Sequence, residues 1–315
     1  MFSFFGNGFL AYANGANDNF KGVSTLYGSG VASYRRALVW ATLTTLLGAL
    51  TAILLATGLL ATFSGKGLVP EFVLSLPIFP WAVACAASLT VMLATHLGFP
   101  ISTTHALTGG LVGAGWMASS EGIYLAKLGS AFVLPLLFSP LLALVTSALI
   151  FSALHRILKT NSGWLNRFHY LSAGAVCFSR AVNDTPKIAA ILLAGSKLPP
   201  KVAFSFVASA MALGGLFHSR RIAETLSHKV TEMNESQGLI SNITTAFLVI
   251  GASRLGLPVS TTHVACGSLF GMGMVTKQAH YRMILGIIFS WVITLPVATL
   301  LGALSFLLLK QSFGL

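Results

Sequence analysis

Several stretches of this chain run without a single Lys, Arg, Asp or Glu, most clearly residues 37–65, 72–120, 128–154, 202–219 and 283–309. A helix needs about 20 apolar residues to cross the hydrocarbon core of a bilayer, so the chain is expected to cross one many times. Composition agrees: 8% of the 315 residues are charged and 55% are hydrophobic, with a mean hydropathy of +0.82, against about 25% charged in a soluble domain. No water-soluble globule of this length hides so much apolar surface. The expectation is an all-α, multi-pass protein of a cell membrane, inner or plasma, with lipid as its solvent. Residues 2–13 carry neither a basic n-region nor a cleavage site and are expected to belong to the mature chain rather than to a signal peptide.

The formal charge of +12 invites a nucleic-acid reading, which fails on position. Arg35-Arg36, His155-Arg156, Lys159, Arg167 and Arg220-Arg221 sit in short connections between apolar runs, the pattern of topology-setting loop charges. Cys85, Cys177 and Cys266 lie singly inside apolar segments and suggest neither a metal site nor a disulfide framework.

The acidic residues divide sharply. The five glutamates (Glu71, Glu121, Glu224, Glu232 and Glu235) fall in predicted loops, whereas the two aspartates lie beside apolar helix. Each aspartate follows an asparagine and precedes a lysine by three residues: Asn17-Asp18-Asn-Phe-Lys21 and Asn183-Asp184-Thr-Pro-Lys187. An ionised group at membrane depth costs about 2.5–3.5 kcal/mol on insertion scales and usually marks a pathway or a site. Each Asp also stands at helical i,i+3 spacing from its own Lys, where the two neutralise each other. Local pairing does not preclude binding, and two copies argue against accident.

A second motif is duplicated as well. Gly-Phe-Pro-Ile-Ser-Thr-Thr-His (98–105) recurs as Gly-Leu-Pro-Val-Ser-Thr-Thr-His (256–263), and ten of the eighteen positions in 98–115 and 256–273 are identical. Both times the Asn-Asp motif comes first. This is an internal repeat of about half the chain, dividing it into 1–155 and 156–315. If the halves are inverted, Arg35-Arg36 and Arg220-Arg221 fall on one face, which the positive-inside rule makes cytoplasmic.

Pro100 and Pro258 cannot continue a preceding helix and push Phe99 and Leu257 toward extended geometry. Ser102-Thr103-Thr104 and Ser260-Thr261-Thr262 then open the next helix, where free N–H groups and the dipole favour an anion. Ordinary N-capping needs one hydroxyl, not three and a histidine, twice. Asn14-Gly15-Ala16-Asn17 and Arg180-Ala181-Val182-Asn183 are expected to interrupt their helices too. Gly15 permits non-helical dihedrals, and Pro186 suits the first turn of a resumed helix. Backbone breaks at membrane depth survive only where protein or a water-filled cavity satisfies them. Four broken segments converging on one centre are the sequence pointer to a transporter site built on two inverted-topology repeats with broken helices or re-entrant hairpins.

At these residues the sequence resembles the inorganic phosphate transporter (PiT) family, marked by a duplicated Gly-Ala-Asn-Asp-type motif and a duplicated Pro-x-Ser-Thr-Thr-His motif. The match runs from about residue 5 to residue 310. The resemblance implies an inverted-repeat helical fold, inorganic phosphate held between the repeats, cation-coupled uptake and often a homodimer. It carries Asn17, Asp18, Ser102, Thr103, Thr104, Asn183, Asp184, Ser260, Thr261 and Thr262 into the site, with Asp18 and Asp184 as the cation-coupling pair. No cofactor and no enzymatic activity are implied.

One departure stands out. The family pattern resembles Asn-Asp-x-x-Asn, with a neutral oxygen-bearing residue last, whereas this chain has Lys21 and Lys187 there. An ammonium has three donors and no acceptor, so it cannot ligate Na⁺. The expectation is that each lysine stands in for a sodium ion, neutralises its aspartate and donates to the anion, with coupling to protons or none. On the alternative, the lysines snorkel away and Na⁺ still binds near Asp18 and Asp184. Arg180 is either a further oxyanion ligand, suited to bidentate contacts, or a loop charge at the membrane edge. His105 and His263 are either proton relays or helix-start residues behind the site.

Three rival readings are weighed. Another tetrahedral oxyanion, sulfate or arsenate, would use the same donors. An intramembrane Ser-His-Asp hydrolase has no reason to duplicate its nucleophile. An open anion channel suits two occluded Asp-Lys pairs less well than alternating access does.

Overall fold

The computed structural model describes residues 2–119, 121–155, 157–158, 163–230 and 233–314. Arg156, Lys159 and Glu232, and with Arg156 the expected repeat boundary, lie outside the described residues. Apart from one isolated bridge between Lys66 and Val69, the regular structure is helical. The helices are α1 (Phe2–Asp18), α2 (Ser24–Gly28), α3 (Tyr34–Leu55), α4 (Thr57–Thr62), α5 (Glu71–Leu74), α6 (Ile78–Leu97), α7 (Thr103–Ala118), α8 (Leu125–Leu128), α9 (Leu134–Leu154), α10 (Gly163–Ala194), α11 (Pro200–His218), α12 (Arg220–Glu224), α13 (Glu235–Arg254), α14 (Thr261–Thr276) and α15 (Tyr281–Ser312). Glu71, Glu224 and Glu235 thus fall on helix termini rather than in loops.

Two layers follow from the distribution of polar residues. Tyr34–Leu55, Ile78–Leu97, Leu125–Leu154, Pro200–His218 and Tyr281–Ser312 are long and apolar enough to cross a membrane. On α3, α9 and α15 the outward residues are leucines and other large hydrophobics such as Leu54, Leu149 and Val292, well exposed to the surroundings, as lipid requires. The helices that carry the motifs (α1, α7, α10 and α14) are buried over much of their length.

Small residues bring helices into direct backbone contact, as is usual between membrane helices. A side chain on Gly15 of α1 would strike the Met211 carbonyl of α11, and one on Gly214 would strike the Tyr12 carbonyl. The glycines of each Ser-Thr-Thr-His helix work in the same way: Gly113 of α7 faces the Thr299 carbonyl of α15, and Gly271 of α14 faces the Leu144 carbonyl of α9. Neighbouring contacts set directions. Trp40 meets Gly174 while Gly48 meets Phe178, so α3 and α10 run side by side in the same sense. Gly8 meets Phe206 and Gly215 meets Asn19, so α1 and α11 do likewise.

The chain breaks three times near the centre, not four. After Asp18 a turn and a short 3-10 segment, Lys21–Val23, lead into α2. The connections 98–102 and 255–260 reverse the chain between α6 and α7 and between α13 and α14. Gly98 and Gly256 turn with φ of 77° and 68°, a conformation glycine adopts at little cost. The expected fourth break is absent: α10 runs as one helix of 32 residues through Arg180 and Lys187, with Pro186 in its interior. The proline removes one backbone donor without ending the helix. Nor does the stretch Asn14–Asn17 interrupt α1, which continues to Asp18. Gly15 is there for close approach to α11, not for unusual dihedrals.

Candidate functional site

Both Asn-Asp-x-x-Lys motifs and both hairpin turns meet in one buried cluster. Ser102 and Ser260 cap their helices, accepting from the backbone N–H of His105 (3.1 Å) and His263 (3.2 Å). The second threonine of each motif crosses to the other hairpin: Thr104 Oγ1 donates to the Val259 carbonyl (3.2 Å) and Thr262 Oγ1 to the Ile101 carbonyl (2.7 Å). The three hydroxyls therefore divide their work, which capping alone did not explain.

The lysines close the cluster. Lys21 Nζ donates to Asp18 Oδ1 (2.5 Å), the Ile101 carbonyl (2.8 Å) and Thr262 Oγ1 (2.5 Å). Lys187 Nζ donates to Thr104 Oγ1 (2.7 Å), the Val259 carbonyl (2.9 Å), Asp184 Oδ1 (3.2 Å) and Asn183 Oδ1. Each ammonium thus sits in a shell of carboxylate, hydroxyl and carbonyl oxygens drawn from both halves of the chain. Neither lysine snorkels: both are buried, with side chains 2% and 1% exposed.

Arg180 is also buried, at 1%, so it is not a charge at the membrane edge. Its guanidinium donates to Asn14 Oδ1 (3.1 Å) and Thr45 Oγ1 (2.7 Å) and lies 3.9 Å from Asp184 Oδ2. Asn14 answers it from the first half, with Nδ2 reaching Thr103 Oγ1 (3.0 Å), Asp18 Oδ2 (3.2 Å) and Asp184 Oδ2 (3.3 Å). Thr103 in turn approaches Asp18 Oδ2 (3.4 Å), and Thr261 holds the matching place on α14, also buried. Formally, three cations here face two carboxylates, leaving an excess of one positive charge at a water-poor centre, with the N-termini of α7 and α14 aimed into it. Such a centre favours an anion.

Other predicted residues are brought close but turned elsewhere. Asn17 is committed to the first hairpin, donating to Thr95 Oγ1 (2.9 Å) and the Phe99 carbonyl (3.1 Å) and accepting from Ile101 N–H (3.2 Å). Asn183 repeats this only with its amide nitrogen, which donates to Ser253 Oγ (2.8 Å), while its Oδ1 stays in the shell of Lys187. His105 and His263 point away from the aspartates. Their rings lie 4.6 Å apart, His263 stacks on Trp291 at 3.8 Å, and both line a largely apolar cavity of about 430 Å³ with Phe132, Pro140 and Trp291. Sequence reasoning missed Asn14, Thr45, Thr95 and Ser253 as partners. Asn14 was visible four residues before Asp18, and Thr95 and Ser253 each stand three before the turn glycine.

A family profile described as the phosphate transporter family matches residues 14–165 and again 159–302. The chain belongs to the phosphate transporter family. It is a multi-pass membrane transporter, not an enzyme, and the family domain occurs in it twice. Among its relatives, a probable low-affinity inorganic phosphate transporter of Rhizobium meliloti is 30% identical, the alignment covering 95% of this chain and 92% of that protein. A protein of the same description from Bacillus subtilis is 26% identical over 96% and 94%. A solved structure described as the sodium-dependent phosphate transporter superposes with a TM-score of 0.87 over 98% of both chains at 22% identity, a likeness of fold.

Proposed function

We propose that this chain carries inorganic phosphate across a cell membrane by alternating access between two inverted halves, 1–155 and 156–315, and that Lys21 and Lys187 occupy the positions of coupling cations. Inversion is supported by the directions of packing. Asn14 meets Arg180 and Asp184 while Gly22 meets Cys177 and Ala173, so α10 runs against the first segment. The Arg pairs share one end of the molecule, since Tyr34 reaches Ser219 (3.4 Å) and Arg220 lies over the Tyr34 ring (5.6 Å). By the positive-inside rule that end is cytoplasmic.

The observation that carries the reading is the pair of oxygen shells around the ammonium groups. Asp18, Ile101 and Thr262 on one side and Asp184, Asn183, Val259 and Thr104 on the other would suit a hard cation, which takes oxygen ligands, and a tethered cation fills each. The donors left for phosphate are Arg180, Thr103, Thr261 and the N-termini of α7 and α14, and the lysines, whose three protons are engaged in their oxygen shells, act on the anion by charge. Dihydrogen phosphate would bring the formal charge of the centre to zero. With the cation positions filled from within the chain, protons rather than sodium drive uptake.

Purified protein in liposomes tests this. Initial phosphate uptake is expected to stay within twofold when external Na⁺ is replaced by choline and to rise when the outside is made acid. Sulfate and arsenate competition reads the choice of anion. Lys21→Asn is expected to slow uptake in choline at least tenfold and to make the remainder respond to Na⁺. Uptake that strictly requires Na⁺, with Lys21→Asn unchanged in its ion dependence, sinks the tethered-cation reading. A homodimer, expected from the family resemblance, is read from the mass of the purified protein in detergent.

A further inference from the structure

The two halves match closely around the lysines and then part company on the way to the two membrane faces. On the side of the Arg pairs, Thr25 of α2 exchanges hydrogen bonds with Asn242 of α13 (2.9 and 3.2 Å), and Asn242 Nδ2 also reaches Ser172 Oγ of α10 (3.4 Å). Thr245, one turn further along α13, donates to the Ser241 carbonyl (2.8 Å) and lies 3.2 Å from Ser268 Oγ of α14. His169, one turn before Ser172, is wholly buried against Gly238 and Thr25, and neither ring nitrogen has a hydrogen-bond partner among the described residues. All these polar residues are at most 8% exposed.

The repeat supplies an internal control. The registers that align Asp18 with Asp184 and Ser102 with Ser260 also align Thr25 with Ile191, Asn242 with Ala84, Ser172 with Gly6, Thr245 with Ala87 and Ser268 with Gly110. Those mates pack in the corresponding way: Gly6 faces Ala84, and Ile191, Ala84 and Ala87 belong to one apolar core. At these five positions the same joint between the same helices is therefore made without polar side chains. Packing at these positions does not require Asn242 or its partners, and polar residues buried in a membrane interior usually mark a pathway.

Position fits a path. Thr25 stands four residues past Lys21, roughly 7 Å along the 3-10 segment and α2, and Ser268 six past Thr262, about 9 Å along α14. At the far end α2 abuts Ser227, and Tyr27 packs on His228 at 4.8 Å, beside the end that carries Arg35, Arg36, Arg220 and Arg221. We infer that Thr25, His169, Ser172 and Asn242, continued by Thr245 and Ser268, line the passage of the oxyanion between the central site and the Arg-rich face. They form a neutral polar staging site, while the five aligned positions of the other half are apolar.

This inference rests on the transport reading above, and the experiment separates the two. Uptake of labelled inorganic phosphate into liposomes and equilibrium phosphate binding to detergent-purified protein are measured for wild type, Asn242→Asp, Asn242→Ala and Asn242→Ser. Asn242→Asp keeps shape but presents a negative charge to the anion. It is expected to cut the initial rate at least tenfold while binding at the central site stays within threefold. Asn242→Ala is expected to lose at least fivefold and Asn242→Ser less than threefold. A folded Asn242→Asp that transports within twofold of wild type overturns the passage. Should Asn242→Asp fail to fold, equal rates for the Ala and Ser variants overturn it, and the expected difference between them supports it. A wild type that moves no phosphate overturns the transport reading itself.

Discussion

Replacing Asp184 with Asn is expected to abolish phosphate uptake, lowering the initial rate in liposomes by about two orders of magnitude or more. The carboxylate faces Lys187 at 3.2 Å and Arg180 at 3.9 Å, and it accepts from Asn14 across the two halves. All four groups are buried, so water cannot replace what the substitution removes. Breaking a buried ion pair by deleting one partner costs about 3–5 kcal/mol, because the remaining charge is stranded. At about 1.4 kcal/mol per tenfold, that corresponds to a factor of roughly 10² to several times 10³. Asp18→Asn strands one cation, Lys21, rather than two, and is expected to be the milder change. Adding Lys187→Met to Asp184→Asn should restore part of the melting temperature in detergent while leaving uptake lost, since one of the two stranded charges is gone but Arg180 and the incomplete oxygen shell remain. Uptake above a tenth of wild type in folded Asp184→Asn would show that the carboxylate is dispensable.

The residues that were legible in the sequence were those that the chain writes twice at one register. Asp18 and Asp184, Lys21 and Lys187, and the two Ser-Thr-Thr-His segments could be paired by inspection, and they meet in one cluster. Physics also made them conspicuous, because an aspartate beside an apolar run needs a reason. Reading by symmetry failed where the halves differ. It put a break before Asn183, but α10 passes through Pro186 as one helix, held among buried neighbours on every side. Gly15 was taken for a hinge because glycine frees the backbone, when the Met211 carbonyl pressing on it was 196 positions away in sequence. The bond between Asn14 and Arg180 was equally hidden, since the two occupy matching places in the repeat with different side chains. The polar joint at Asn242 was invisible for a related reason: Thr25 lies 217 positions away, and no local pattern connects them.

Gly15→Val is expected to do the greatest damage of any change that touches no polar group. The obstacle to a new Cβ is the Met211 main chain, with the Gly214 backbone pressed against Tyr12 from the opposite side. A flexible side chain would yield to such a clash, but a helix backbone yields only by moving as a whole. Overpacking a well-filled interior costs about 1–3 kcal/mol and sometimes more, and here the helix that must shift carries Asn14, Asn17 and Asp18. Misplacing them pulls one half of the cluster away from Thr103, Thr95 and Arg180. The expected outcome is a markedly lower melting temperature in detergent and uptake below about a tenth of wild type. Gly251→Ala is the matched control. It lies inside α13 with nothing within 4 Å of the added carbon, and alanine gains up to about 1 kcal/mol over glycine in a helix interior. That variant should melt no lower than wild type and transport normally. If Gly15→Val melts and transports like Gly251→Ala, the direct backbone contact between α1 and α11 is not what holds the first Asn-Asp motif in place.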